Sequence, residues 1–429
     1  MNRPSYAVGK ILALTDLQLR SRCGDTNSNT NIVKVAQTFI GHHGNQEVVA
    51  LTLTAKETPE EQRKMASTDS DHLSRLSVII PTYNRRRFLL RNLSQWNGLS
   101  CQVLVLDGSD EPLLDDILAQ FKANIHYFHL PISLSARLGK AIKLITTEYS
   151  ILHGDDEYLL KSGLIDCIAA LDNDPELSCV SGQCIGFRQG AGVVEGFDVY
   201  KRLRTYSLQN ESAIERIIQH LGNYVPSHIY SVSRSDAWKH AFDCLSTQEI
   251  PVYAIGELQV EICLSYSGKS RSIPSLTWLR SIDEAPPIRN TKADPSLDET
   301  KKFYSWWNNV QSKDQREAFL ERMSDTLIKI RPFDRGQLNQ CLIEACTVYA
   351  RNVQDRTQGR AMVMYRPIAP GLKYFHRLLR NVFHVKLIKR PSLMAKARNL
   401  ENLGIQVDIE ELEKIEKDIL AFHSEKFLK

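Results

Sequence analysis

The chain has 429 residues, of which 42% are hydrophobic, and its 54 lysines and arginines nearly balance its 50 acidic residues, which gives a net charge of +4. This length predicts two or three domains, and the hydrophobic fraction excludes a disordered or fibrous protein. The small net charge gives no support for nucleic-acid binding, which calls for a strongly basic face or a known motif. We therefore expect a globular protein that has no nucleic-acid partner.

The cysteine pattern and the hydropathy suggest a compartment. Nine cysteines are scattered without a CxxC pair, which is typical of free thiols in a reducing environment. The sequence contains no window of about 18 apolar residues, and its apolar N-terminal stretch is too short for a signal peptide. We expect a cytoplasmic protein, either free or held on a membrane surface.

The first part of the chain, residues 1–74, is predicted to be an extension and a linker. A β-rich run at 48–55 (VVALTLTA) predicts a strand, and a polar run follows it at 56–71. This composition does not indicate a function.

From residue 75 to 285, short aliphatic runs alternate with helical patterns. Alternation at this spacing predicts βαβ units and a mostly parallel sheet flanked by helices, in which ligands bind beyond the carboxyl ends of the strands. The predicted strands are 76–81, 101–107, 148–156 and 177–187, and the predicted helices are 86–96, 113–121, 134–146 and 159–171.

Past residue 286 the strand signals fade, and a helical C-terminal domain is predicted over 286–429. Its predicted helices are 301–316, 316–331, 336–351, 371–386 and 408–422.

Polar residues follow three of the predicted strands. The first strand runs into Pro-Thr-Tyr-Asn at 81–84, the second ends at Asp107-Gly108, and the third runs into His-Gly-Asp-Asp-Glu at 153–157. Adjacent carboxylates on a short turn suit Mg²⁺ or Mn²⁺ bound together with a diphosphate. Each segment alone is more often an ordinary strand end or a solvated turn, but three polar strand ends in this order at one edge of the sheet point to a binding site.

Five segments in this order resemble the family 2 glycosyltransferases. SVIIPTYNRRRFLLRNLSQW is similar to the first strand and helix of that family, and VLVLDGSD is similar to its second strand. LSARLGKAIK, ILHGDDEYLL and IGELQVEICLSYSGKS resemble its arginine segment, its D-x-D turn and its acceptor-side motif. The resemblance covers about residues 76–280 and implies a GT-A fold and a nucleotide-sugar donor.

The resemblance also implies roles for individual residues. Asp155 and Asp156 would hold the divalent metal, Asp107 would bind the base, Arg137 would lie near the diphosphate or the base, and Glu257 would act as the general base of an inverting transfer to a glycan or a lipid-linked acceptor. The residues assigned to the nucleotide-sugar are Pro81, Thr82, Tyr83, Asn84, Asp107, Arg137 and Asp155.

Two positions depart from the family pattern. His153 replaces the first acid of the D-x-D turn, and Leu258 stands where many relatives have an acidic base. Glu261, one helical turn after Glu257, is an alternative base, and Glu257 itself could be an ordinary charge near a helix start. Two other functions stay open: nucleotidyl transfer, and a degenerate domain that acts as a carbohydrate-binding or scaffold module.

The segment 356–399 contains basic but no acidic residues. Its part at 371–390 forms a basic amphipathic pattern that suits a peripheral contact with an anionic membrane. Packing of the apolar stripe on the catalytic domain explains the same pattern, with the basic face paired to the acidic tail at 408–418.

Overall fold

A computed structural model describes residues 35–43, 46–54, 71–190, 192–246, 253–282, 299–364 and 390–424. The chain divides into two compact units, Met1–Ala66 and Ser67–Lys429. In the first unit, strand β1 (Val35–His43) pairs antiparallel with β2 (Gln46–Thr54), which confirms the strand predicted at 48–55.

The second unit is built on one sheet, which holds ten strands in the described part of the chain. Its order is β10-β12-β8-β11-β6-β3-β4-β5, with β7 paired to β12 and β9 paired to β8. The strands are β3 (Leu76–Thr82), β4 (Gln102–Asp107), β5 (Ile125–His129), β6 (Tyr149–Leu152), β7 (Tyr158–Leu159), β8 (Leu177–Gly190), β9 (Val193–Asp198), β10 (Ser207–Leu208), β11 (Val232–Arg234) and β12 (Lys269–Ser281).

Helices cover the sheet and form the C-terminal region. Those of the sheet region are α1 (Arg86–Trp96), α2 (Asp115–Leu118), α3 (Leu134–Ala141), α4 (Lys161–Asp172), α5 (Ala213–Gly222), α6 (Ser235–Ser246) and α7 (Tyr253–Ser267). Those that follow are α8 (Glu299–Asn308), α9 (Lys313–Ile330), α10 (Arg335–Met364), α11 (Leu393–Glu401) and α12 (Ile409–Ser424). None of the described helices is long and apolar enough to cross a membrane.

The central strands are buried on both faces, which explains their continuous aliphatic sequences. In β3, Val78 and Ile80 pack into one apolar cluster together with α1 and α4, whereas Ile79 packs into a second cluster on the opposite face. Strands β3, β4, β5 and β6 are mutually parallel, so their carboxyl ends share one edge of the sheet. The expected α/β architecture is therefore confirmed.

Some predicted elements differ in extent. Strand β5 was not predicted, because its sequence IHYFH places histidines between apolar residues and the strand is only half-buried at the edge of the sheet. The helix predicted at 113–121 is only four residues long, and the helix predicted at 134–146 ends at Ala141. The helices predicted at 301–316 and 316–331 correspond to α8 and α9, but they are separated at 309–312, where Asn309 caps a short 3₁₀ turn.

The C-terminal helices fall into two groups. Helices α8, α9 and α10 extend the same apolar cluster that holds α5, α6 and α7. Helices α11 and α12 pack over β8, β9 and β12 in a third cluster. The helix predicted at 371–386 lies outside the described residues. The division into domains at 74 and 285 stays a prediction.

Candidate active site

The carboxyl ends of β3 and β4 form one wall of a cavity. Thr82 and Asp107 are the last residues of these strands and lie directly opposite each other in the parallel register. The cavity has a volume of about 420 Å³, which falls within the range of small-molecule sites. It is lined by Thr82, Asn84, Arg86, Leu89, Asp107, Ser109, Asp110, Glu111 and Leu113. Three of the predicted nucleotide-binding residues therefore line one cavity.

The turn after β3 is fixed by Asn84, which has a positive φ of 52°. Asparagine tolerates this left-handed conformation better than most residues. Its backbone N–H donates to Ser109 Oγ (2.8 Å), and its side chain exchanges two hydrogen bonds with Asp110. Tyr83 Oη lies 3.4 Å from the same Asp110 carboxylate, and Pro81 is half-buried in β3. The Pro-Thr-Tyr-Asn segment thus links the two loops at the mouth of the cavity.

Asp107 is buried, and protein donors engage both of its carboxylate oxygens. The Ser109 N–H donates to Oδ1 (2.8 Å), and the Tyr127 hydroxyl donates to Oδ2 (2.6 Å). Each carboxylate oxygen has a further lone pair for a ligand. The two hydrogen bonds fix the orientation of Asp107 towards the cavity.

Arg137 is held under the strand ends. Its Nη1 donates to the carbonyls of Thr82 (2.5 Å) and Leu106 (2.7 Å), and the side chain is 5% exposed. A Cβ at position 108 would lie 2.6 Å from the guanidinium carbon, which explains why glycine follows Asp107. Arg137 therefore ties β3 to β4 and places positive charge beneath the cavity.

Two aspartates in the acidic turn after β6 contact the same cation, the guanidinium of Arg85. Arg85 Nη1 lies 2.7 Å from Asp155 Oδ1, and Arg85 Nη2 lies 2.7 Å from Asp156 Oδ2. The Thr82 hydroxyl donates to Asp155 Oδ2 (2.7 Å), so this carboxylate adjoins the end of β3. Burial raises the pKa of Asp155 to about 6, although Arg85 and Thr82 act in the opposite direction.

His153 and Glu157, which flank the two aspartates, have other partners than Arg85. The His153 ring is buried against Trp96, its Nδ1 lies 3.5 Å from Asn92, and burial lowers its pKa to about 3. Glu157 accepts a hydrogen bond from Trp278 Nε1 (2.8 Å), and burial raises its pKa to about 8. A metal at this turn would thus rely on Asp155 and Asp156.

The donor set at the turn fits a divalent cation. Both aspartates already direct an oxygen at one positively charged group, the Arg85 guanidinium, which stands in the place of a cation. Carboxylate oxygens are the ligands that Mg²⁺ and Mn²⁺ prefer. The pair would therefore hold such an ion, provided that Arg85 releases it.

Glu257 lies in a different part of the structure, near the start of α7. Helix α7 ends just before β12 begins at the amino edge of the sheet, so its first turns point towards the carboxyl edge. The Tyr224 hydroxyl donates a short hydrogen bond to the Glu257 carboxylate. Burial raises the pKa of Glu257 to about 7, which leaves it half ionised near neutral pH. The described structure places no contact between Glu257 and Asp155.

Glu261, the alternative base, belongs to a buried network in the sheet region. Its carboxylate lies 2.8 Å from His220 Nε2 and 2.9 Å from His228 Nδ1, and it accepts the backbone N–H groups of His228 and Ile229. Burial by itself would raise the pKa of Glu261, but the hydrogen bonds from the two histidines lower it to about 2.

The ligand atoms of Glu261, His220 and His228 lie within 4.8 Å of one another, as in a metal site. However, the outer ring nitrogens also have partners: Tyr206 Oη lies 2.6 Å from His220 Nδ1, and Ser270 Oγ lies 2.8 Å from His228 Nε2. Apart from His228 Nδ1, the buried ring nitrogens and carboxylate oxygens of this cluster have hydrogen-bond partners within the protein, so the cluster does not depend on an ion. Its fully buried carboxylate is also poorly placed to serve as a base.

One supporting group was missed by the sequence analysis. Phe422 of α12 packs on Phe88 at 5.1 Å and on the guanidinium of Arg91 at 4.6 Å. Arg91 in turn donates to the backbone carbonyl of Asp156 (2.6 Å). A contact over more than 300 residues leaves no local signal in the sequence.

The cavity and the paired aspartates lie at the carboxyl edge of the sheet, which is where ligands bind in open α/β folds. Residues 77–228 match the family model described as Glycosyl transferase family 2. These residues form a family 2 glycosyltransferase domain, and the protein is accordingly a nucleotide-sugar-dependent glycosyltransferase. The resemblance stated from the sequence is confirmed.

Among solved structures, TarS 1-349 from S. aureus is similar to 66% of this chain and 92% of its own, with 15% identity and a TM-score of 0.38. The same protein in complex with UDP-GlcNAc matches with a TM-score of 0.39. A longer TarS structure matches 64% of this chain and 54% of its own, with 16% identity and a TM-score of 0.35. No curated protein matches the chain.

Proposed function

We propose that this glycosyltransferase uses a divalent metal and transfers the sugar, with inversion, to a glycan or a lipid-linked acceptor. The observation that carries the proposal is the junction of the cavity with the aspartate pair, made by the hydrogen bond between Thr82 and Asp155. A nucleotide whose base and ribose lie in the cavity would therefore place its diphosphate at the acidic turn.

Each part of the site would have a defined task. Asp107 and the Pro-Thr-Tyr-Asn segment would bind the nucleoside in the cavity, and Arg137 would contribute a positive potential beneath it. Asp155 and Asp156 would hold Mg²⁺ or Mn²⁺, which would neutralise the departing nucleoside diphosphate. Glu257 would accept the proton of the acceptor hydroxyl, because its raised pKa suits a base that works near neutral pH.

The acceptor would approach from the side of α7 and the C-terminal helices. A lipid-linked acceptor would agree with a peripheral membrane contact through residues 371–390, which rests on the basic sequence of that segment.

A degenerate module that binds carbohydrate without turnover is the second candidate. It is favoured by the buried neutral His153 in the acidic turn and by Leu258 after Glu257. Nucleotide binding that shows no dependence on metal, without any sugar transfer, would support this candidate.

The test is calorimetric titration of UDP and GDP, with and without Mn²⁺, against the wild type and Asp155→Asn. We expect one nucleotide to bind in a manganese-dependent manner and the variant to lose at least about tenfold in affinity, because a charged ligand is removed. Asp236→Asn is the matched control, since the Asp236 side chain is 89% exposed on α6. Failure of both nucleotides to bind under any condition would contradict the proposal.

A further inference from the structure

The position that a metal would take between Asp155 and Asp156 is filled by a residue of the chain. Arg85 bridges the two aspartates with contacts of 2.7 Å each, and its side chain is 14% exposed. Thr82 occupies the remaining Asp155 oxygen. The aspartate pair therefore has a counter-cation within the chain.

We propose that Arg85 blocks the aspartate pair until a metal–diphosphate displaces it, and that the displaced guanidinium then binds the diphosphate. This inference rests on the proposed donor site. It adds that the metal alone binds weakly, and that metal and diphosphate bind cooperatively. Arg85 would thus act as a gate for the metal and as a positioning residue for the donor.

The exclusion of the metal by Arg85 follows from lone pairs and charge. The oxygens that would ligate a metal are those that accept the N–H groups of Arg85. A divalent ion placed beside a guanidinium in a partly buried site is repelled strongly, because the effective dielectric there is well below that of water. The two cations therefore compete for one position.

The displaced side chain stays near the diphosphate. Arg85 packs over the Phe88 ring at 4.7 Å, and Arg91 packs over the same ring at 5.2 Å. Arg85 also immediately precedes α1, whose first turn adds Arg86 and Arg87, so this corner attracts anions. A planar guanidinium binds phosphate oxygens in pairs, which lysine cannot do.

Cooperativity is the measurable consequence. If diphosphate draws Arg85 away, it raises the affinity for the metal, and by linkage the metal raises the affinity for diphosphate by the same factor. Removal of the guanidinium abolishes the competition and weakens this coupling.

The experiment is calorimetric titration of Mn²⁺ alone, and of Mn²⁺ in saturating pyrophosphate, against the full chain at pH 8. We expect Arg85→Gln to bind Mn²⁺ alone about tenfold more tightly than the wild type, since it lacks the competing charge-assisted hydrogen bonds. The factor by which pyrophosphate raises the affinity for Mn²⁺ should be smaller in Arg85→Gln than in the wild type, by a similar amount. Arg335→Gln is the matched control, because Arg335 pairs with Asp325 in the C-terminal helices, where both side chains are about half exposed.

Arg85→Lys guards against misfolding of the glutamine variant: it keeps a cation but cannot bridge both aspartates, so we expect it to bind Mn²⁺ alone more tightly than the wild type and less tightly than Arg85→Gln. Thermal unfolding of both variants checks that they are folded. Equal Mn²⁺ affinity in the wild type and the folded variants would overturn the inference, even if nucleotide binding depends on metal. If no protein binds Mn²⁺, pyrophosphate or a nucleotide, the proposed donor site fails as well.

Discussion

At the scale of single residues, the partners of a buried carboxylate decide whether its pKa suits catalysis. Glu257 and Glu261 lie one turn apart on α7, yet their pKa values move in opposite directions. Burial raises the pKa of Glu257 to about 7, whereas His220 and His228 outweigh burial and lower that of Glu261 to about 2. A base for neutral pH is therefore better provided by Glu257.

If Glu257 is the base, transfer should accelerate as the pH rises through about 7, because the carboxylate is the active form. Tyr224→Phe removes the hydrogen bond that favours this carboxylate, so the profile should move to higher pH. Glu257→Gln should reduce the rate by about 100-fold or more. The pH–rate profile is measured with the nucleotide-sugar that the binding experiment identifies. An unchanged profile in Tyr224→Phe, together with an active Glu257→Gln, would exclude this role.

Glu261, by contrast, should contribute to stability. Glu261→Gln leaves two buried histidines without their charged partner and should cost about 3–5 kcal/mol in urea unfolding at pH 7. Because the folded-state pKa is depressed, this contribution is present above about pH 4.5 and is lost as the pH falls through about 2. Glu344→Gln, at an exposed position on α10, is the control. A loss no larger than that of the control would argue against the network.

At the scale of elements, α12 provides the N-terminal cap of α4, a helix that is distant in sequence. The Glu411 carboxylate accepts the backbone N–H of Lys161 (2.9 Å) and of Ser162 (3.4 Å), so it caps the start of α4. Helix α4 begins four residues after Glu157, and the cap therefore fixes the strand-to-helix connection behind the acidic turn. In this way a C-terminal helix supports the segment that carries Asp155 and Asp156.

Loss of this cap should weaken the fold measurably. Glu411→Ala removes the acceptor for two N–H groups and should lower the free energy of unfolding by about 1 kcal/mol, as other capping residues do. Glu410→Ala is the control, because this neighbour is exposed on the same helix turn. Denaturant unfolding compares the two variants; equal stabilities would show that Glu411 is not a cap.

At the scale of the whole molecule, the C-terminal helices and the sheet region share a core. Phe303 and Tyr349 lie in the same buried cluster as Trp238 and Phe242, and Tyr224 contacts the Tyr349 ring at 4.9 Å. The unit Ser67–Lys429 is therefore expected to unfold as one cooperative body.

A truncated chain of residues 67–285 tests this expectation. It would expose the apolar faces that α8, α9 and α10 cover, so we expect aggregation or loss of a cooperative thermal transition, whereas residues 67–429 should show a single transition. Calorimetry compares the two. A fragment 67–285 that unfolds cooperatively and binds nucleotide as well as the full chain would support the separate domains predicted from the sequence.

The sequence by itself determined the α/β class, the family and the central strands, because runs such as VII (78–80) and VLVL (103–106) are buried on both faces and are therefore continuously aliphatic in sequence. It also located Thr82, Asn84 and Asp107 at the edge of the sheet, since parallel strands place their carboxyl ends together. Only the tertiary structure decided that Arg85 bridges the aspartate pair, that His153 faces away from it and that Glu411 caps α4. Pairing and burial depend on residues brought together from distant parts of the chain, and no local pattern encodes them.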